Sequence, residues 1–307
     1  MWAIKIFDDR GGMNNAGFLD LASRWGAGIE CALYAGKGMG PNIDARLKDE
    51  FSSREHALGL HLNHSTMCLL DLAEHDWDQA HLLQIQAMAD RTESMVATSQ
   101  ERDCILSVPV QALAREAGWA RSVGIRNAVL HFQRVEHPKG LSWKVLDPTA
   151  YAIRCAPVFD MLSALGLRIH MEKTFESRSW LDAFYAQIAR QGQSSQFGFT
   201  FDMGHSRIWE REPLEAWMES IARYEALGFG LHFHLHANAG QLDSHDTLSH
   251  GHAFGWLDVD TQWAPNGVMP VLREIQRLYE HKALLVLENN SDYAAENLGW
   301  VELAMRG

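Results

Sequence analysis

Short apolar or β-branched runs recur along the chain at residues 2–7, 28–34, 57–63, 126–132, 167–171, 197–201, 229–235 and 283–287. Between them lie stretches with apolar residues at helical spacing, among them 16–25, 77–100, 148–165, 180–191, 214–227 and 268–281. Strands that alternate with helices build parallel βα units. Eight such units predict an α/β fold closed into a (β/α)8 TIM barrel. Helix starts are marked by Asp147-Pro148 and by the segment from Asp202 to Glu212-Pro213, while Gly166, Gly192 and Gly228 fall where C-terminal caps belong. Residues 35–51, glycine-rich and then charged, predict a loop and short helix near the barrel mouth. No Pro/Ser-rich linker or longer repeat interrupts the alternation, so a single domain over residues 1–307 is expected.

Composition agrees with a globular barrel and narrows the function. Hydrophobic residues make up 47% and charged residues 21%, which supplies a large core. A net charge of −12 disfavours attraction to nucleic acid or an anionic membrane through the whole surface. The four cysteines, Cys31, Cys68, Cys104 and Cys155, form no C-x-x-C pair, so neither a disulfide framework nor a thiolate zinc site is indicated. The N-terminus lacks the apolar core of a signal peptide, and no run approaches the roughly 20 apolar residues of a membrane span. A cytoplasmic protein is the resulting expectation; nothing indicates its oligomeric state or a nucleotide cofactor.

The chemistry gathers where the apolar runs end. The third run leads to His64 in HLNHST, the fourth ends at His131, and the fifth ends in Glu172. The sixth delivers Asp202 and His205 in FDMGH; the seventh delivers His234, with Asp243 and His245 following in LDSHD; the eighth ends at Glu288. A strand-end histidine alone is more often a hydrogen-bonded mouth residue, and a strand-end carboxylate often only caps the next helix. Nine such groups in six consecutive units are another matter. Gathering these carboxylates without cations is costly, so all nine are candidate metal ligands. Imidazole and carboxylate together suit Zn, Mn or Fe(II).

The order His64, His131, Glu172, Asp202-x-x-His205, His234, Asp243-x-His245, Glu288 resembles the endonuclease IV (AP endonuclease 2) family of the xylose-isomerase-like TIM-barrel superfamily. HSTMCLLDLA is similar to that family's first histidine segment, FDMGH to its Asp-His motif, and HLHAN with LDSH to its last histidine cluster. The resemblance implies two or three divalent ions. His64, His131 and Glu172 would hold one; Glu172, Asp202, His234 and Glu288 a second, with Glu172 bridging; and His205, Asp243 and His245 a third. It also implies metal-assisted hydrolysis of a phosphoester, in which Glu172 and Glu288 bridge or orient.

Two departures point away from DNA and toward a small or flexible substrate. The loop YAGKGMGPNIDAR carries only Lys37 and Arg46 as cations, and Met67 stands where the DNA enzymes carry an aromatic residue. Two other chemistries share the ligands. A mononuclear sugar isomerase or epimerase needs only Glu172, Asp202, His234 and Glu288, the two glutamates moving the proton. A multinuclear non-heme iron oxidase is similar in its LDSHD and LLVLENN segments. A binding module without catalysis would be expected to have lost a ligand.

Around these ligands, His232, His234 and His236 alternate and so share one strand face. His236 is a candidate for catalysis or substrate contact, and His232 and His170 are candidate core histidines. Lys173, Arg178, Arg207 and His250 are candidate substrate-binding groups, and Trp256 or Trp263 a candidate lid.

Overall fold

The computed structural model describes residues 1–8, 14–33, 38–54, 56–62, 68–69, 72, 108–132, 147–209, 211–289 and 291–305. Eight parallel strands close into a barrel in sequence order: β1 (Trp2–Phe7), β2 (Gly28–Ala32), β3 (Leu58–His61), β4 (Asn127–His131), β5 (Arg168–Glu172), β6 (Phe197–Asp202), β7 (Gly230–Leu235) and β8 (Leu284–Leu287). β1 pairs with both β2 and β8, which seals the ring. This is the closed (β/α)8 TIM barrel that the alternation predicts. Strand bounds differ from expectation by no more than two residues. The helix expected at 77–100 lies outside the described residues, as do His64, Met67 and Lys37.

The connecting helices are α1 (Asn15–Trp25), α2 (Pro41–Arg46), α3 (Val108–Ser122), α4 (Pro148–Ala164), α5 (Arg178–Arg190), α6 (Met203–Ile208), α7 (Leu214–Ala226), α8 (Leu248–Ala253), α9 (Val268–Tyr279) and α10 (Ala294–Met305). Their ends follow local chemistry. The Asp147 side chain accepts the Ala150 N–H at the start of α4, and Ser177 and Thr247 likewise cap α5 and α8. Gly26 closes α1 in the left-handed conformation at φ 62°. Three elements escape the periodicity: α3, α8 and α10. In the last the apolar residues are spread around the helix, so no stripe marks it.

Alternation along each strand divides two interiors. Phe199 and Phe201 of β6 and Phe233 of β7 face outward and pack against Trp217 of α7 and Tyr279 of α9. Their neighbours Thr200, Asp202, His232 and His234 face the lumen and are buried. The outer layer is therefore an ordinary aromatic and aliphatic core. The lumen is polar from the mouth to its lower half, where His170 Nε2 donates to Asn127 Oδ1 at 3.2 Å. Gly198 makes that possible, since a Cβ there would lie 2.1 Å from His170 Nδ1. Among the described residues no helix is long and apolar enough to cross a membrane.

Candidate metal centre

Glu172, the last residue of β5, stands at the middle of the mouth with 1% of its surface exposed. Its Oε2 lies 3.1 Å from His131 Nε2, 3.2 Å from His61 Nε2 and 3.3 Å from His234 Nδ1, and its Oε1 lies 3.2 Å from His205 Nδ1. Burial alone would raise its pKa, but the adjacent His131 and His234 hold it well below the carboxylate range. Glu172 is thus an anion ringed by four imidazoles.

Two metal-capable groups flank it. In the inner group, Glu172, Asp202, His234 and Glu288 each offer an atom within 4.8 Å of the others, and all four are buried. His234 Nδ1 lies 2.8 Å from Glu288 Oε2 and 3.8 Å from Asp202 Oδ2. The outer group joins His205, His236, Asp243 and His245 by the same criterion. Asp243 Oδ2 lies 2.9 Å from His205 Nε2 and 3.1 Å from His245 Nε2.

The chain positions these donors by local means. Asp202 ends β6 and also caps α6, accepting the His205 N–H at 2.6 Å, so one side chain orients its partner three residues on. Gly204 leaves the space that the His236 ring fills, where a Cβ would lie 1.9 Å from Cε1. The loop bearing Asp243 and His245 is anchored by paired bonds between Ala237 and Asp246 at 2.8 and 2.9 Å. His245 adopts φ 48°, uncommon for a side-chain-bearing residue, and its Nδ1 lies 3.1 Å from the Glu288 carbonyl.

The donors fit cations better than one another. Asp202 Oδ2, His234 Nδ1 and Glu288 Oε2 are buried without a hydrogen bond, and all three belong to the inner group. His236 Nδ1 and Asp243 Oδ1 in the outer group are in the same condition. Buried polar atoms are normally satisfied, so a converging cluster of buried atoms without hydrogen bonds is an arrangement that a cation would satisfy. Burial would lower the pKa of His234 and His205, yet Glu288, Glu30 and Glu172 raise the first well above its ordinary value, and Asp202 and Asp243 raise the second. Burial would likewise lower that of His245, but its bond to Asp243 pushes it up to about 9.

Of the nine candidate ligands, eight are described and all eight meet in or beside these groups; His64 lies outside the described residues. His131 joins through Glu172. Sequence reasoning missed His61, whose Nδ1 faces the Leu62 carbonyl at 3.0 Å while Nε2 faces Glu172. It also missed Glu30, which with His232 and His234 forms a further cluster. His236, expected to act on substrate, is a member of the outer group.

The expected substrate-binding groups have partners within the protein. Lys173 follows a lumen-facing glutamate, so alternation turns it outward; it is fully buried, and its ammonium donates to the carbonyls of Thr174, His205 and Trp209. Arg207 donates to the Asn238 and Trp256 carbonyls and lies over the Trp263 ring. Arg178 pairs with Glu212 at 2.7 Å, and His250 Nε2 lies 3.5 Å from Glu296. Trp263 is buried, its Nε1 donating to Ser206 at 2.9 Å, and so does not serve as a lid.

A closed eight-stranded (β/α)8 barrel with candidate metal-binding clusters at the C-terminal ends of its strands is the class that fold and site define. Comparison with solved structures agrees on the fold. The TTHB071 protein of Thermus thermophilus, solved after soaking with ZnCl2, superposes with a TM-score of 0.57 at 19% identity, covering 99% of this chain and 97% of that one. A D-tagatose 3-epimerase-like protein gives 0.58 at 14% identity over 99% and 97%. Endonuclease IV of Thermus thermophilus gives 0.55 at 12% identity over 99% and 98%. No protein-family model and no curated protein sequence matches the chain.

Proposed function

We propose that the chain is a metal-dependent enzyme with a multinuclear centre, hydrolysing a phosphoester in a small or flexible substrate. The observation that carries this reading is the position of Glu172. It belongs to the inner group and equally to the cluster with His61 and His234, and its second oxygen reaches His205 of the outer group. A carboxylate shared in this way suits a bridge between ions. A mononuclear centre does not require His61, His131 or the outer four donors as ligands.

Bound there, two or three divalent ions would supply a nucleophilic water at neutral pH and neutralise charge on a phosphoryl group. The protein's own part is placement. Glu172 and Glu288 both face His234 Nδ1, at 3.3 and 2.8 Å, and Asp202 couples the two groups through its contact with His236 Nε2 at 3.2 Å. Because Lys173 and Arg207 are committed to backbone carbonyls, substrate charge falls to the ions. Asp243 and His245 are the partly exposed donors, so substrate meets the centre from their side.

A second reading rests on the inner group alone. Glu172 and Glu288, with Asp202 and His234, form the two-Glu, Asp, His set of a sugar isomerase or epimerase, and neighbours of both kinds share the fold. Elemental analysis of protein purified without added metal separates the two. Two or three Zn or Mn ions per chain, with hydrolysis of bis(p-nitrophenyl) phosphate, support the hydrolase. One ion per chain, with solvent deuterium entering a ketose, supports the epimerase. Two or three Fe with oxygen consumption would instead indicate an oxidase.

A further inference from the structure

Beneath the inner group the lumen holds a second charged layer that the hydrolytic reading does not require. Lys5 of β1 and Glu30 of β2 are register partners, both face the lumen, and both are buried, at 3% and 0% exposure. Glu30 Oε2 accepts from His232 Nε2 at 2.7 Å and from His234 Nε2 at 3.2 Å, while Oε1 lies 3.2 Å from His234 Nε2 and 3.4 Å from Lys5 Nζ. The Lys5 ammonium also donates to Glu288 Oε1, while Glu288 Oε2 faces the inner group without a hydrogen bond.

This layer solves a problem for a metal ligand. A neutral imidazole carries its proton on one ring nitrogen, and whichever nitrogen is protonated cannot ligate. The His234 ring stands between two sets of carboxylates, with Nε2 toward Glu30 and Nδ1 toward Glu172, Asp202 and Glu288. Only a fixed acceptor on the Nε2 side keeps Nδ1 bare. We propose that Glu30 is the positioning carboxylate of the inner centre, holding the His234 N–H on Nε2 so that Nδ1 is presented to the ion, with Lys5 as its built-in counter-charge. The inference rests on a cation occupying the inner group.

A competing use of the same residues is as a metal site of their own, since Glu30, His232 and His234 also offer atoms within 4.8 Å of one another. Lys5 argues against it. Its ammonium already lies beside Glu30 Oε1, and a second cation there would meet like charge in a dry lumen. A carboxylate with no solvent contact persists only if its charge is compensated. Here two imidazole N–H groups and one ammonium compensate it.

The test substitutes Glu30→Gln, which keeps the shape but places amide N–H groups where Oε1 now faces two donors. Zn2+ titrations of the whole chain against a chromophoric chelator sort the bound ions by affinity. One class of ion is expected to weaken about 10- to 100-fold, the scale seen when the orienting partner of a ligand is lost, while the other class is unchanged. Equal affinity in both classes, within about twofold, overturns the inference and leaves the metal-enzyme reading intact. A native chain that binds no Zn2+ overturns both. If Glu30→Gln fails to fold, long-range 15N–1H spectra of the zinc-loaded native protein decide. Nε2 of His234 protonated and Nδ1 metal-bound is the expected result, and the reverse assignment overturns it.

Discussion

In the inner group three carboxylates surround one imidazole, whereas in the outer group three imidazoles surround one carboxylate. The inner donors are sealed in the lumen, and three of them point unpartnered atoms at a common space. The outer donors sit at the rim, with Asp243 and His245 partly open to solvent and already bound to each other. Oxygen-rich and nitrogen-rich sets prefer different ions. The contrast teaches that one barrel mouth gathers two candidate metal groups of different chemistry. Were each group to hold an ion, the imidazole-rich outer donors would suit Zn in a tetrahedral arrangement, and the carboxylate-rich inner donors would suit an oxygen-preferring ion such as Mn.

The hardest blow to this contrast is removal of the residue both groups touch. Glu172→Ala takes an oxygen from the inner group, one from the His61 cluster and the partner of His205 Nδ1. Activity on the substrate that the native protein turns over is expected to fall on the order of 10³-fold or more, the scale of several kcal/mol of lost transition-state stabilisation. Metal content should drop by more than one ion per chain. A loss confined to a single ion, with activity within tenfold of native, would mean that Glu172 is no bridge.

A smaller and more selective effect is expected at the rim. His236→Gln should lower outer-site affinity about 10- to 100-fold, on the scale of other losses around a metal centre, and spare the inner ion. Substitution with Co2+ sharpens the test, because a closed tetrahedral site absorbs visible light far more strongly than a five- or six-coordinate one. The intense band should be present in the native protein and vanish in His236→Gln. If it survives, His236 is not the fourth donor.

The two regions also differ in how legible they are in the sequence, and strand geometry explains why. Ligands at strand ends from β4 to β8 announce themselves, because a polar residue that ends an apolar run is placed at the barrel mouth, and spacings such as Asp202-x-x-His205 recur as motifs. Lys5 and Glu30 lie inside their runs. A single charge within WAIKIF or GIECA reads as an interruption until the two strands are known to be neighbours in register. Period-two alternation, applied to both strands at once, places them on the lumen face. His61 is overshadowed because the resemblance lends its weight to His64. Lys173 and Arg207 show that proximity in sequence to a ligand is not proximity to substrate: the residue after lumen-facing Glu172 turns outward, and Arg207, on α6, reaches the Asn238 and Trp256 carbonyls.

Acidity separates the groups by the least dramatic measurement. The Asp243 bond and nearby carboxylates overcome the effect of burial and raise the folded-state pKa of His245 to about 9, against about 6.5 for the unfolded residue. A raised pKa stabilises the metal-free fold fully below pH 6.5, and that contribution is lost as pH rises through 9. Because His245 stands 35% exposed, solvent screening holds the effect to about 1 kcal/mol, a Tm decrease of about 2 °C between pH 6.5 and 9 in chelator-treated protein. Metal reverses the slope: a proton that must leave His245 before it can ligate makes outer-site affinity rise over the same interval. Asp243→Asn removes the partner that raises the pKa, so the metal-free slope should flatten. Persistence of the slope in that variant would place its origin elsewhere, with His234 of the inner group the first residue to examine.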